Sequence, residues 1–193
     1  MNESHQNDSK MISRRQVLTT GCALIAGAVF SPKVVIAGST LVQKVSEKFI
    51  HFYNTHTGEF FKGAYWINGH FIPEAMNDLN HFLRDWRTND KIAINPKLFD
   101  VLHKLSNSLE TKKPFEIICG YRTSKTNENL RQVKTGIAKH SRHLTGDAID
   151  FRAPGVSLKD LRNAALVEKA GGVGYYPKSG FIHVDIRDKP ASW

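Results

Sequence analysis

The sequence predicts an α+β fold, with a small antiparallel sheet flanked by helices. Two patterns carry that expectation. Apolar residues at helical spacing form stripes between Pro73 and Leu109, whereas short alternating or wholly apolar runs gather after Pro114.

The elements follow in chain order. "FIHFYN" and "EFFKGAYW", separated by Thr55-His56-Thr57-Gly58, read as a hairpin. From Pro73, a residue suited to a first helical turn, Met76, Leu79, Leu83 and Trp86 fall on one helix face. A second helix starts near Pro96, with Leu98, Leu102, Leu105 and Leu109 as its stripe. Both stripes are assigned to the core. "PFEIIC" is a short buried strand ending in the turn "GYRTSKTN", and a polar helix follows over roughly Lys125 to Lys134. Ser157 with Asp160 three residues on caps another helix. "GGVGYYPKSGFIHVDI" then reads as two strands joined at Pro177 to Gly180.

The N-terminal stretch has a different character. Arg14 and Arg15 precede a weakly apolar run from about Val17 to Phe30, and Val35-Ile36-Ala37 suits signal-peptidase cleavage after Ala37. The arginine pair, with Ser13 before it and Val17-Leu18 after it, resembles a twin-arginine export signal, which implies the twin-arginine export machinery as a partner and a periplasmic destination. The run is shorter than the ~20 residues that cross a bilayer comfortably, so no stable membrane span is expected after processing. An uncleaved anchor is the alternative. Thr19 three residues before Cys22 argues against lipidation. The expected organisation is therefore a leader over 1–37 and one domain over 38–193, large enough for a sizeable core. Beyond the leader only Cys119 remains, so that domain has no internal disulfide.

Lys and Arg outnumber Asp and Glu by 27 to 18 in 193 residues. The basic residues are scattered rather than blocked, and with an export signal this argues against nucleic acid and toward anionic lipid or a polyanionic wall polymer.

The chemistry concentrates in "KHSRHLTGDAIDF", Lys139 to Phe151. Gly146 permits a sharp turn between His143 and Asp150, after which Ala148 and Asp150 project from one strand face with room for an ion beside them. In "FIHVDI", Phe181, His183 and Asp185 share one face and Ile182, Val184 and Ile186 the other. The second face is the core face, and the first is the exposed, functional side. His143, Asp150 and His183 would form a three-ligand site with an open fourth position. Spacing alone leaves a bland alternative, in which His143 is a loop residue and His183 and Asp185 decorate a half-buried strand. His5, His51, His56, His70, His81 and His103 have no partner pattern.

"SRHLTGDAIDF" resembles the S-x-H-x-x-G-x-A-x-D signature shared by D-Ala-D-Ala metallopeptidases, lysostaphin-type enzymes and hedgehog N-terminal domains. "GYRT", "GGVGYYP" and "FIHVD", in that order, resemble the MepK (YcbK) branch of murein endopeptidases, and the likeness runs from the leader through "LNHFLRDWR" to the last Trp. The resemblance implies a zinc cleft on the sheet, with His143, Asp150 and His183 as Zn2+ ligands and Arg122 beside them to stabilise an oxyanion. It implies peptidoglycan as the substrate, through bonds to meso-diaminopimelate and particularly 3-3 (L,D) cross-links. Several relatives carry an acidic base three residues before the last histidine, where this sequence has Gly180. Asp185 takes that place as general base or holds His183 by a hydrogen bond. Ser141 contacts substrate or orients His143, and His140 is a substrate contact, a neighbour of a ligand, or solvated. Two rival classes stay open: a cysteine peptidase using Cys119 with His143, and a zinc-bearing, non-catalytic wall-binding module. A carboxypeptidase of the same superfamily is the nearer alternative.

Overall fold

The computed structural model describes residues 45–193, and the leader assigned to 1–37 lies outside them. One eight-stranded sheet runs through the structure in the order β3-β2-β1-β4-β5-β7-β6-β8. The hairpin comprises β1 (Glu47–Asn54) and β2 (Phe60–Ile67), extended by the short β3 (His70–Phe71). Helices α1 (Pro73–Phe82) and α2 (Pro96–Ser108) follow, then β4 (Phe115–Cys119) and α3 (Ser124–Val133). The chain finishes with β5 (Ala148–Arg152), α4 (Leu158–Val167), β6 (Gly172–Tyr176), β7 (Phe181–Asp185) and β8 (Ala191–Ser192).

The α+β class stands, and the sheet is mixed rather than wholly antiparallel. β1 pairs with β4 in parallel because α1 and α2 return the chain to the same end of the sheet before β4 begins. β8 lies parallel to β6, reached from β7 by a short return segment. The other pairings are antiparallel.

Local chemistry fixes the helix starts. Pro96 occupies the first turn of α2 while the Asn95 side chain accepts from Lys97 N–H at 3.1 Å. Thr123 caps α3 through Thr126 N–H at 3.1 Å, and the expected cap of α4 forms between Ser157 and Asp160 N–H at 3.1 Å. The α1 stripe departs from the expectation. The helix ends at Phe82, so Leu83 is buried as its C-cap while Trp86 lies beyond the helix, 39% exposed, with its ring stacked on His56. Asp85 causes the break: its carboxylate accepts from Arg87 N–H and from both the N–H and hydroxyl of Thr123, drawing the chain away from the helix axis.

Leu79, Leu98, Leu102 and Leu105 are fully buried in one core cluster with Leu161 of α4 and with Ile149, Phe151, Ile182 and Val184 of the central strands. Each such side chain contributes about 1.5–3 kcal/mol of apolar burial. This packing covers one face of β5 and β7, so their alternate residues face the other way.

Candidate metal centre

β5 and β7 pair in antiparallel register, with Asp150 opposite His183 and Ala148 opposite Asp185. Strand alternation therefore delivers two carboxylates and an imidazole to one patch of the outer sheet face. His143 joins them from a 3-10 turn, Arg142–Thr145, that runs into β5. Gly146 ends that turn in the left-handed region at φ 72°, a conformation glycine adopts without strain. Ser141 starts the turn, its hydroxyl accepting from His143 N–H at 3.4 Å. Asp147 turns aside and accepts from Asn95 and Thr145.

Three donor atoms converge. His143 Nε2 lies 3.2 Å from His183 Nδ1 and 3.2 Å from Asp150 Oδ1, and His183 Nδ1 lies 2.7 Å from the same oxygen. Ligands about 2.0–2.1 Å from a tetrahedral zinc stand about 3.3–3.4 Å apart, so this triangle needs only a slight expansion to take the ion. The far nitrogens are already committed. His143 Nδ1 donates to the Gly120 carbonyl at 2.7 Å, and His183 Nε2 donates to Asp185 Oδ2 at 3.1 Å. Each bond selects the tautomer whose other nitrogen offers a lone pair to the centre of the triangle.

The electrostatics point the same way. Burial works against charge on all three groups. Even so, the two imidazoles hold Asp150 well below the usual carboxylate range, and Asp150 draws His143 and His183 upward, with Cys119 adding to the rise at His143 and Asp185 to that at His183. The patch thus favours positive charge, and protons and a metal cation compete for it.

Cys119, at the end of β4, brings its Sγ within 4.8 Å of donor atoms of His143 and Asp150 and so offers a second ligand set. Its thiol also faces Arg122 Nη2 at 3.4 Å. A cation bound at sulfur would meet that guanidinium, so the set completed by His183 fits better. Burial raises the thiol's pKa, but His143 and Arg122 outweigh it and the net shift is downward.

Arg122 is buried beside the triangle. Its Nη1 donates to Asn127 Oδ1 at 3.2 Å, and no carboxylate lies within salt-bridge distance among the described residues. Its Nε is the buried side-chain nitrogen left without a partner among them. An unpaired buried donor is costly, and the guanidinium that carries it also lines the cleft.

The face carrying His183 and Asp185, expected to be exposed, is covered: the two residues are 9% and 0% exposed. Arg187 accounts for much of this. It folds back so that Nε donates to Asp185 Oδ1 at 2.6 Å and Nη2 donates to Oδ2. Trp193 covers the rest, with its ring 5.5 Å from His183 and the Arg187 guanidinium 5.1 Å above it. Gly172 and Gly174 make this possible. A Cβ at Gly172 would sit 2.5 Å from the Asp185 carboxylate, and one at Gly174 would sit 2.8 Å from Trp193 Nε1.

What remains open is a cleft of about 490 Å³ with the triangle and Arg122 on its floor. Residues Thr135 to Ala138 form one wall; Tyr176, Phe181 and Trp193 form the other, with Tyr176 and Phe181 stacked at 4.9 Å and Trp193 bonded to the Tyr176 hydroxyl. Asn127 ties Arg122 to the first wall by donating to Ala138 O. His140 and Ser141 line the mouth, and His140 is exposed there.

The structure thus brings His143, Asp150, His183, Arg122, Ser141 and His140 to one cleft, and sets Asp185 on the far side of the His183 ring from the triangle. Arg187 and Asn127 were not anticipated as neighbours, and Cys119 was placed beside His143 only in the cysteine-peptidase alternative. Arg187 alone had a sequence signal, lying two residues after Asp185.

A family model described as peptidoglycan L,D-endopeptidase MepK matches residues 42–190. Peptidoglycan L,D-endopeptidase MepK of Escherichia coli (strain K12) is 40% identical over 173 residues, covering 90% of this chain and 93% of that protein. Probable peptidoglycan L,D-endopeptidase MepK of Haemophilus influenzae is 37% identical over 186 residues, covering 96% and 95% respectively.

Proposed function

Because the chain belongs to the peptidoglycan L,D-endopeptidase MepK family, we propose that its cleft hydrolyses peptide cross-links of peptidoglycan with zinc held by His143, Asp150 and His183. The observation that carries this reading is the triangle of donor atoms, 2.7–3.2 Å on a side, beside a buried arginine with no carboxylate partner among the described residues. Zinc in that position supplies a Lewis acid and brings the pKa of water near ~7.

The chain's own residues do the rest. Gly120 and Asp185 fix the two imidazoles, so the donor atoms are in place before substrate arrives. Arg122, on the cleft floor, turns its guanidinium toward the scissile carbonyl oxygen as negative charge develops on it. Asp185 acts as a positioning residue: with His183 Nε2 and Arg187 already on its oxygens, it faces away from the reacting atoms. His140 is the uncommitted imidazole on the cleft wall and carries the proton to the leaving amine. The two walls favour a chain-like substrate that passes through the cleft. We assign the 3-3 (L,D) link to meso-diaminopimelate as the preferred bond, with carboxypeptidase action as the competing outcome. Export to the periplasm by the twin-arginine pathway, read from residues 1–37, completes the proposal, and loss of export in cells lacking that translocase is its check.

Digestion of defined muropeptides, with and without chelator, tests the activity. The expected products are the two halves of a 3-3 cross-linked dimer, formed with zinc and not with chelator. Release of terminal residues alone assigns a carboxypeptidase, and binding without any product refutes hydrolysis.

A further inference from the structure

Of the three arginines lining the cleft, two are engaged. Arg122 is buried and bonded to Asn127 and Cys119, and Arg187 is clasped to Asp185. Arg142 is different. Its side chain is 42% exposed, has no hydrogen-bond partner among the described residues, and meets Asp185 only at ion-pair range, 3.8 Å from Nε to Oδ1. We propose that Arg142 is a specificity-determining residue that binds a substrate carboxylate on the leaving-amine side of the scissile bond, an inference that rests on the endopeptidase reading above.

The local charge supports it. Asp185 already accepts from His183 Nε2 and twice from Arg187, so three of a carboxylate's roughly four acceptor positions are filled. Two guanidiniums thus face one carboxylate, leaving an uncompensated positive charge at the cleft. The Trp193 ring, against both Arg187 and His183, excludes water from one side of this cluster and strengthens its field.

Position supports it as well. Arg142 directly precedes His143 in the 3-10 turn, and the link from Asp185 to the His183 ring is 3.1 Å long. When the leaving amine belongs to an amino-acid centre, the carbon that bears it also bears a carboxyl group. Diaminopimelate acylated on one amine presents that carboxylate two bonds from the nitrogen being released. A guanidinium fork suits it better than an ammonium would, because two parallel N–H donors match two carboxylate oxygens.

The test uses the zinc-loaded chain and two synthetic cross-linked peptide dimers, identical except for a free carboxylate or a carboxamide on the carbon bearing the leaving amine. The unsubstituted protein is expected to favour the carboxylate dimer in kcat/KM by about 10- to 100-fold, the range of one charge-assisted contact. Arg142→Gln brings the ratio close to one, while Arg142→Lys retains part of the preference. A merely structural role would lower both rates together and leave the ratio unchanged. Equal cleavage of both dimers by the unsubstituted protein overturns the subsite alone, as does a preference that survives in Arg142→Gln. Cleavage of neither dimer overturns the endopeptidase reading and the subsite with it.

Discussion

Replacing Asp185 with Asn separates two roles that a carboxylate near a metal site can play. In the structure its oxygens accept from His183 Nε2 and from two nitrogens of Arg187, and it is completely buried. Asparagine keeps one oxygen acceptor but turns an amide N–H2 toward donors: at the Oδ1 position it loses the Arg187 Nε bond, and at the Oδ2 position it loses the bonds from His183 and Arg187 Nη2. One such bond is worth about 1.5–3 kcal/mol. Spread over the orientation of His183, it should weaken zinc binding about 10- to 100-fold. The assay is a zinc titration against a competing chelator, followed by turnover at saturating zinc. The expected result is weakened zinc affinity with kcat largely restored once the site is filled. A general base would behave in the opposite way, with affinity held and kcat reduced about 10²- to 10⁴-fold at any zinc concentration. That second pattern would refute the positioning role.

Four other outcomes follow from particular contacts. Gly120→Ala drives a Cβ to 2.6 Å from Leu83 O, so it should cost about 1–3 kcal/mol, read as a fall in Tm of about 2–4 °C per kcal/mol, and it should also weaken zinc binding through the Gly120–His143 bond. Asp85 is pushed up by burial but held below its ordinary pKa overall by donors on Thr126, Thr123 and Arg87. Its contribution is therefore present above an unfolded value of ~3.9 and lost as pH falls through the lower folded value, so the Tm gap between the unsubstituted protein and Asp85→Asn should be open at neutral pH and close in acid. Cys119→Ala should keep most of its turnover and stay insensitive to iodoacetamide; loss of activity with zinc still bound would restore the thiol as nucleophile. His140→Gln should lower kcat about 10²-fold or more with zinc affinity unchanged, and an unaltered kcat would remove His140 as the proton carrier.

Much of the site was legible because strand alternation is local. Ile182 and Val184 against His183 and Asp185 announce two faces without reference to any other segment, and the capping pair Ser157 and Asp160 is equally self-contained. The features that were not legible depend on distant partners. Trp86 leaves its predicted stripe because Asp85 bonds Thr123, 38 residues on. The outer face of β7 is covered because Trp193 returns beside β6, and a periodicity cannot say which strand will end as a neighbour. Parallel pairing of β1 with β4 depends on the direction in which two helices return the chain. Proximity of Cys119 to His143 depends on β4 lying next to β5. Asp185 was left between two roles for the same reason, since the side of the ring that a carboxylate approaches is set by which nitrogen the other ligands occupy.

The register of β5 against β7 divides what can change in this molecule from what cannot. A one-residue slip in either strand would turn a cleft-facing side chain into the core and bring an isoleucine or valine to the cleft floor. The walls have no such constraint, because one is the segment after α3 and the other is a strand end with the Trp193 ring. Lengthening or trimming the segment after α3 would redirect the protein toward other cross-link geometries while the hydrolytic floor stays intact. Attempts to redesign its substrate range therefore belong at residues 134–137, with both central strands, Ala138 and Trp193 left untouched.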